Sequence, residues 1–265
     1  MHDGYDSIEM LFGGDSPDSF EGVVWIKDSS KFRRILAVGD LHGEYRRMQD
    51  MFDSLDYNSS EDLLVFLGDY IDRGPESLKC LLAVKSMAET YDNVIALRGN
   101  HESLLLEHFE EYGIKDILVN DRLWLDNGGD DTLYQLRKLY EKSHSEFGSV
   151  IEFVKNLKRI AVVGTEYLFT HAGFLKKPYL RQMEEMLWVR RDFYEGYAGK
   201  QTVAVGHTPV QHLRAGSDGT PILQKNHIWL CDTGAFRSDG HVSCVDVKTG
   251  EFWQSGDEDD GTIHA

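Results

Sequence analysis

Ile35-Leu36-Ala37-Val38-Gly39-Asp40-Leu41-His42-Gly43 is the stretch that decides the fold: four apolar residues, a glycine, then an aspartate and a histidine two positions apart. A short apolar run that ends in a glycine-bounded polar loop reads as a buried strand feeding that loop. The pattern recurs four times. Leu63 to Leu67 runs into Gly68-Asp69-Tyr70-Ile71-Asp72-Arg73-Gly74, and Val94 to Leu97 into Gly99-Asn100-His101-Glu102. Tyr167 to Phe169 runs into Thr170-His171-Ala172-Gly173, and Val203 to Val205 into Gly206-His207-Thr208. Loops of this kind gather at one edge of a sheet, where α/β folds place their sites. On an extended segment Asp40 and His42 point to the same side and can share one cation.

The intervals between the first three blocks carry apolar residues at three- and four-residue steps, which predicts helices at Glu44 to Leu55, Glu76 to Thr90 and Glu102 to Tyr112. The order βαβαβα gives a largely parallel sheet flanked by helices. Asp116 to Leu157 reads as mostly helical, interrupted at Asn127-Gly128-Gly129, and forms a cap over the sheet or a lid near the pocket. Trp124, Leu125 and Leu133 read as the core of that cap. Beyond it, short strands are expected at Ala161 to Val163, Tyr167 to Phe169, Thr202 to Val205, Ile228 to Cys231, Val242 to Val247 and Glu251 to Gln254. They suggest a second, mainly antiparallel or mixed sheet. Val23 to Ile26 reads as an edge strand. The domain reading is a lead-in over 1–22, one α/β domain over 23–255 and a solvated acidic tail over 256–265.

The 265 residues carry a formal charge of −17, which argues against broad binding to nucleic acid or anionic membranes. Hydrophobic residues make up 41% of the chain, enough for one substantial core. Cys80, Cys231 and Cys244 show no paired spacing and read as buried thiols. Met1 to Ser19 lacks the basic start and apolar core of a signal peptide, and no apolar run nears the ~18 residues of a membrane span. A cytoplasmic protein is expected.

Two decoys are set aside. Cys231, five residues and Arg237 fit the bare spacing of a cysteine-dependent phosphatase, but Asp232 puts an anion beside the thiol that must ionise, and Ser238-Asp239-Gly240 makes a turn where a helix should start. Asp232-Thr233-Gly234 matches the aspartic-protease triplet, yet it occurs once. Glu102 reads as a helix-start acid favoured by the dipole. Arg98 has two open readings, a phosphate contact or a partner for a loop carboxylate. The seven histidines outside the blocks read as surface or strand residues.

In order and content the five blocks resemble the PPP-type metallophosphatases, the calcineurin-like two-metal phosphoesterases. Asp232-Thr233-Gly234-Ala235 and the Asn127-Gly128-Gly129 turn resemble the compact bacterial and phage branch, typified by the lambda phage Ser/Thr protein phosphatase. The resemblance runs from about Trp25 to Val247 and implies a four-layer α/β/β/α sandwich with the site at the strand ends. It implies a first divalent cation on Asp40, His42 and Asp69, and a second on Asp69, Asn100, His171 and His207. This mixed oxygen and nitrogen set suits Mn²⁺, with Fe or Zn²⁺ as other choices, better than Ca²⁺. Between the two ions a hydroxide serves as nucleophile.

In the family pattern His101 protonates the leaving group, Asp72 orients His101, and Arg73, Asn100 and Arg190 contact the phosphate. The register of Trp188-Val189-Arg190 leaves Arg191 as the neighbouring candidate. The expected activity is hydrolysis of a phosphomonoester by a Ser/Thr-type protein phosphatase, on a phosphorylated protein or a small phosphoester. No nucleic acid, membrane or obligate partner is implied. Symmetrical bis(5'-nucleosyl)-tetraphosphatases share nearly all the blocks, so diadenosine tetraphosphate is the alternative substrate. A catalytically silent phosphoprotein-binding module is the reading from a different class.

Overall fold

The computed structural model describes residues 12, 15–111, 113–114, 122–175, 185–213 and 217–256. In chain order it forms β1 (Val23–Ile26), β2 (Ile35–Val38), α1 (Tyr45–Leu55), β3 (Leu63–Phe66), α2 (Ser77–Thr90), β4 (Val94–Ala96) and α3 (Asn100–Glu111). Then come α4 (Arg122–Trp124), a π-helical turn at Leu125–Gly129, α5 (Asp130–Lys142), α6 (His144–Asn156), β5 (Ile160–Val163) and β6 (Tyr167–Thr170). The last elements are α7 (Arg191–Gly196), β7 (Thr202–Val205), α8 (Val210–Leu213), β8 (Ile222–Leu223), β9 (Ile228–Leu230), β10 (Ser243–Asp246) and β11 (Phe252–Gln254). The predicted helices lie within about one turn of their expected bounds. Tyr112, where the third was expected to end, lies outside the described residues.

Strand alternation builds the layers. Along β2, Leu36 and Val38 face the helical side with Leu64 and Phe66 of β3, packed on Met48, Met51 and Leu55 of α1 and Leu81 and Val84 of α2. Ile35 and Ala37 face the other way, into a central layer with Leu63, Val65, Ala161, Val163, Phe169 and Ala204. Val162, Leu168, Val203 and Val205 leave that layer for a third core with Phe193, Tyr194 and Val210. Period-2 strands with both faces apolar can only be satisfied between two covering layers. The result is the expected four-layer α/β/β/α sandwich.

The assignment of strands to sheets differs from the sequence reading. One sheet runs β11-β10-β2-β3-β4, and the other β1-β5-β6-β7-β9-β8. The last two strands were expected in the second sheet, but β10 lies antiparallel to β2, with Cys244 opposite Val38 and Asp246 opposite Leu36. They complete the first sheet because β2 would otherwise present an open edge in the middle of the core. Val245 of β10 buries in the central layer beside Ala37. β1 instead pairs in parallel with β5, Val23 opposite Ile160. The two-residue β8 was not foreseen, being too short to show a period. Phe12 of the lead-in is buried against Phe20, 5.7 Å between ring centres. Residues 257–265 of the acidic tail lie outside the described residues.

The start of β2 is tied to β3 by charge. The fully covered carboxylate of Asp62 accepts from Arg33 Nη2 at 2.8 Å, Arg34 Nη2 at 2.6 Å and the Asn58 amide at 3.0 Å. Burial alone would raise its pKa, but the two guanidiniums outweigh that and hold the carboxyl well below the usual carboxylate range. A depressed folded value adds stability that is present above the unfolded pKa of about 3.9 and is lost as pH falls below it. Asp62→Asn should therefore cost about 2 kcal/mol at pH 7. In urea melts the gap to the parent should close below about pH 3; a constant gap at all pH values would exclude a charge origin.

Candidate active site

The five loops leave β2, β3, β4, β6 and β7 on one rim, and their side chains converge on the buried carboxylate of Asp69, 2% exposed. Its Oδ2 lies 3.4 Å from His171 Nε2, 3.7 Å from His42 Nε2 and 3.9 Å from His101 Nε2. His42 Nε2 is in turn 3.9 Å from Asp40 Oδ2. Among the described residues two groups have the spacing of a cation site: His42, Asp69 and His101, and Asp69, His171 and His207. Asp69 is common to both. Asn100 Oδ1 sits 2.9 Å from both His171 Nε2 and His207 Nδ1.

The donor chemistry fits divalent cations. His42 Nδ1 donates to the Ile71 carbonyl at 3.0 Å and His171 Nδ1 to that of Leu67 at 2.9 Å, so each Nε2 lone pair faces the cluster. The Arg73 guanidinium donates to His42 Nε2 at 2.8 Å, in keeping with that tautomer. The His171 lone pair then points at two further acceptors, Asn100 Oδ1 and Asp69 Oδ2. Acceptors facing one another at such distances are relieved by positive charge among them, a cation or a proton on His171, which Asp69 favours. Two polar atoms of the rim, His207 Nε2 and Asp232 Oδ2, are buried with no hydrogen-bond partner.

Electrostatics agree. Burial, with the charges of Asp232 and Asp69, pushes Asp40 well above the usual carboxylate range. Burial, and then the nearby acids, pushes Asp232 up to about 6. For Asp69 burial also raises the pKa, but the imidazoles of His171, His101 and His42 win and hold it well below its ordinary value. Burial, reinforced by Arg73, keeps His42 well below the usual histidine value, and burial, reinforced by His171, takes His207 to about 2. His171 goes the other way: burial would lower it, but Asp69 outweighs that and raises it above the usual histidine value. The crowded carboxylates, with His42 and His207 held neutral, form a set that takes up positive charge.

Backbone strain clusters on the same loops. Among the described residues the non-glycine positions with positive φ are His42 at 44°, Asp69 at 54°, Asp72 at 73°, Arg73 at 70° and His207 at 68°, with Asp56 and His227 elsewhere. Left-handed conformations at non-glycine residues concentrate at functional sites, where the surroundings over-determine them.

Beside this centre His101 Nδ1 lies 2.6 Å from Asp72 Oδ2, both buried. Arg190 Nη1 reaches the His207 carbonyl at 3.2 Å and Thr208 Oγ1 at 2.8 Å, while Arg191 is exposed and pairs with Glu195. The expected register at that segment is the one that faces the site. Arg98 Nη2 donates to the Val154 and Lys155 carbonyls at the end of α6, at 3.2 and 2.5 Å. Cys231 is buried, and burial with its acidic neighbours pushes the thiol far up, against a nucleophilic role.

Three participants went unread in the sequence. Asp232 lies on the rim, yet its triplet was weighed only as a family mark and a decoy. Arg47, on the first turn of α1, donates to the carbonyls of Ala235, Arg237 and Gly240 at 2.6, 2.8 and 2.7 Å. That loop brings Phe236 edge-on to His42 at 5.2 Å and beneath the Arg73 guanidinium at 4.5 Å. No local spacing signals such a long-range clamp. Glu102 does more than meet a helix dipole. Its carboxylate accepts from the backbone amides of Asp69 at 2.9 Å, Tyr70 at 2.8 Å and Gly99 at 2.8 Å, locking the second loop to the third.

Residues 33–233 match the calcineurin-like phosphoesterase family, a span that includes all five loops. The chain belongs to that family. As a calcineurin-like phosphoesterase it is a metal-dependent phosphoric ester hydrolase. It is 31% identical over 161 residues to serine/threonine-protein phosphatase 2 of Escherichia coli, covering 59% of this chain and 68% of that one. It is 27% identical over 235 residues to serine/threonine-protein phosphatase 2 of Salmonella typhimurium, covering 83% and 96%. A symmetrical bis(5'-nucleosyl)-tetraphosphatase of Pasteurella multocida matches at 37% over 86 residues, 32% of this chain and 30% of that one. The fold is shared with the crystal structure of a candidate diadenosine tetraphosphatase, TM-score 0.63 at 18% identity over 89% of this chain and 97% of that one. It is shared too with a serine/threonine phosphatase of Saccharomyces cerevisiae, TM-score 0.58 at 16% identity over 90% and 79%. No helix among the described residues is long and apolar enough to cross a membrane.

Glu102→Gln puts an amide N–H₂ where one carboxylate oxygen now accepts, leaving at least one buried backbone amide without a partner. The variant should lose about 1–3 kcal/mol in denaturant melts, the cost of a buried amide left unsatisfied. It should also release bound metal to a chelator faster than the parent. Unchanged melting together with unchanged metal retention would exclude the lock.

Proposed function

We propose that this phosphoesterase is a Ser/Thr-type protein phosphatase working with two divalent cations. Asp40, His42 and Asp69 would hold one ion, and Asp69, Asn100, His171 and His207 the other. The observation that carries this reading is the convergence of ligand-type atoms on Asp69, with the Nε2 atoms of His42 and His171 turned inward and His207 Nε2 and Asp232 Oδ2 left over. The absence of thiolates in the set and its mixture of carboxylate, amide and imidazole support Mn²⁺, with Fe or Zn²⁺ as other occupants. When bound, the two cations supply Lewis acidity at the phosphoryl oxygens and activate water for attack at phosphorus.

The chain's own groups do the rest. Arg73 and Arg190 offer planar forks to the non-bridging phosphate oxygens, and the Asn100 amide adds a further contact. His101, its Nδ1 held by Asp72, presents Nε2 to the leaving oxygen and delivers its proton as the P–O bond breaks. Phosphoserine and phosphothreonine leave as alkoxides of high pKa, so they need that proton most. The relatives named serine/threonine-protein phosphatase, matched over 68% and 96% of their length, support a phosphoprotein substrate. Diadenosine tetraphosphate is the second reading, favoured by the shorter match to the symmetrical tetraphosphatase. Three buried unpaired thiols support a reducing, cytoplasmic setting. The net charge of −17 supports a protein or small phosphoester substrate over nucleic acid.

Turnover on phosphoserine peptides and on dinucleoside polyphosphates separates the two substrate classes, and a preference for the latter overturns the phosphatase assignment. Chelation should abolish activity and Mn²⁺ restore it, whereas alkylation of Cys231 should change little. Loss of activity on alkylation with chelators harmless would sink the two-metal reading.

Arg73→Ala or Arg190→Ala should lower kcat/KM by about 1.5–3 kcal/mol for a lost charge-assisted bond and weaken inhibition by phosphate. Arg191→Ala should do far less. The reverse order of sensitivity would place the phosphate contact on Arg191.

A further inference from the structure

The Asn127-Gly128-Gly129 turn lies outside the five loops, and no step above uses it. It sits where α4 passes through a π-helical turn into α5, with Gly128 at φ 94°. Trp124 precedes the turn and Thr132 follows it; both are buried, and both end on Asp72. Trp124 Nε1 donates to Asp72 Oδ2 at 2.8 Å, and Thr132 Oγ1 donates to Asp72 Oδ1 at 2.6 Å while accepting from the Asp72 amide at 3.1 Å. Ser77 Oγ takes the same amide at 2.9 Å.

Each glycine has a steric reason to be there. A Cβ on Gly129 would lie 2.5 Å from the Trp124 ring, and one on Gly128 would lie 2.8 Å from the Arg73 amide. That amide donates to the Gly128 carbonyl at 3.2 Å. The turn thus meets the Asp72-Arg73 pair with backbone and side chains at once, and it brings an indole N–H and a hydroxyl to one carboxylate.

We propose that Trp124 and Thr132 are positioning residues that hold the Asp72 carboxylate so that His101 has one available orientation. The inference rests on His101 being the proton donor. With Oδ1 taken by Thr132 and Oδ2 shared by Trp124 and His101, the carboxylate has no freedom to rotate. His101 must then donate through Nδ1, which leaves Nε2–H aimed at the site. In the reaction that Nε2 proton passes to the departing alkoxide, whose electron pair comes from the breaking P–O bond, while Nδ1–H stays on Asp72. The cap therefore acts on the chemistry through Asp72. An unheld carboxylate would let the imidazole turn, and proton delivery would fail before metal or phosphate binding did.

The test compares Thr132→Val, Thr132→Ser and Trp124→Phe with the parent and with His101→Asn. The zinc-loaded protein is used for proton NMR of the His101 Nδ1–H, and the manganese enzyme for kinetics. Thr132→Val and Trp124→Phe should each move the Nδ1–H resonance, and Thr132→Ser should restore it. Both should lower kcat on a phosphoserine peptide by about 10–100-fold, less than the roughly 10²–10⁴ for losing the acid itself. With 4-nitrophenyl phosphate, whose leaving group needs little protonation, kcat should change less than about threefold on the same Brønsted reasoning. KM and metal content should hold. If Thr132→Val and Trp124→Phe leave the resonance in place, or if both substrates slow equally with the resonance unmoved, the positioning role is wrong. If His101→Asn itself fails to discriminate between leaving groups, the proton-donor reading fails separately, and the resonance still decides whether the turn holds the pair. Should Trp124→Phe not fold, Thr132→Val against Thr132→Ser decides alone.

Discussion

A buried carboxylate that keeps its charge is the constraint from which this molecule is built. Asp69 is removed from water and still ionised, because His171, His101 and His42 surround it and the His101 amide donates to its Oδ1 at 3.0 Å. An isolated carboxylate at that depth would be neutral. Each group that keeps it charged comes from a different strand end, so a sheet that let one loop drift would lose the stabilisation at once. The sandwich exists to hold five loops in register around one anion. Glu102 does the same for the backbone, since its carboxylate locks the amides of the second loop to the third.

Much of this was legible in the chain. Five apolar runs ending in glycine-bounded polar residues gave the rim and the convergence of Asp40, His42, Asp69, Asn100, His171 and His207, because burial and alternation are local properties. The pairing of strands was not. Nothing near Ser243–Asp246 says that its partner lies at Ile35–Val38; that follows from an open edge which only the folded sheet reveals. The carbonyls that receive Arg98 were hidden for a similar reason, as they end a helix more than fifty residues later. Trp124 did read correctly as buried cap core, and the fate of its indole N–H was what the sequence withheld. Polar atoms on apolar side chains are invisible to hydrophobic patterning.

Local propensity also fails where the loops are strained. His42, Asp69, Asp72, Arg73 and His207 all sit at positive φ, a region that statistics assign to glycine. Such residues cost of order 1–3 kcal/mol each and persist only where surrounding contacts over-determine them. Here the contacts are visible: the Ile71 carbonyl on the His42 imidazole, Asp40 on the His207 amide, Glu102 on the Asp69 amide, Ser77 and Thr132 on the Asp72 amide. The consequence is a site whose geometry is imposed by its neighbours, not chosen by its own backbone.

The crossed membership of the sheets has a bearing on biosynthesis. β2 supplies the loop of Asp40 and His42, but its second edge is closed only by β10, some two hundred residues later in the chain. A nascent chain growing from its amino end therefore carries an unpaired edge on β2 until Ser243–Asp246 emerges. β1 waits likewise for β5. Pairings so distant in sequence are slow to form and open to misassociation. A chain ending before Ser243 would hold all six expected metal ligands and the strands that carry them, and yet lack the strand that closes the edge of β2.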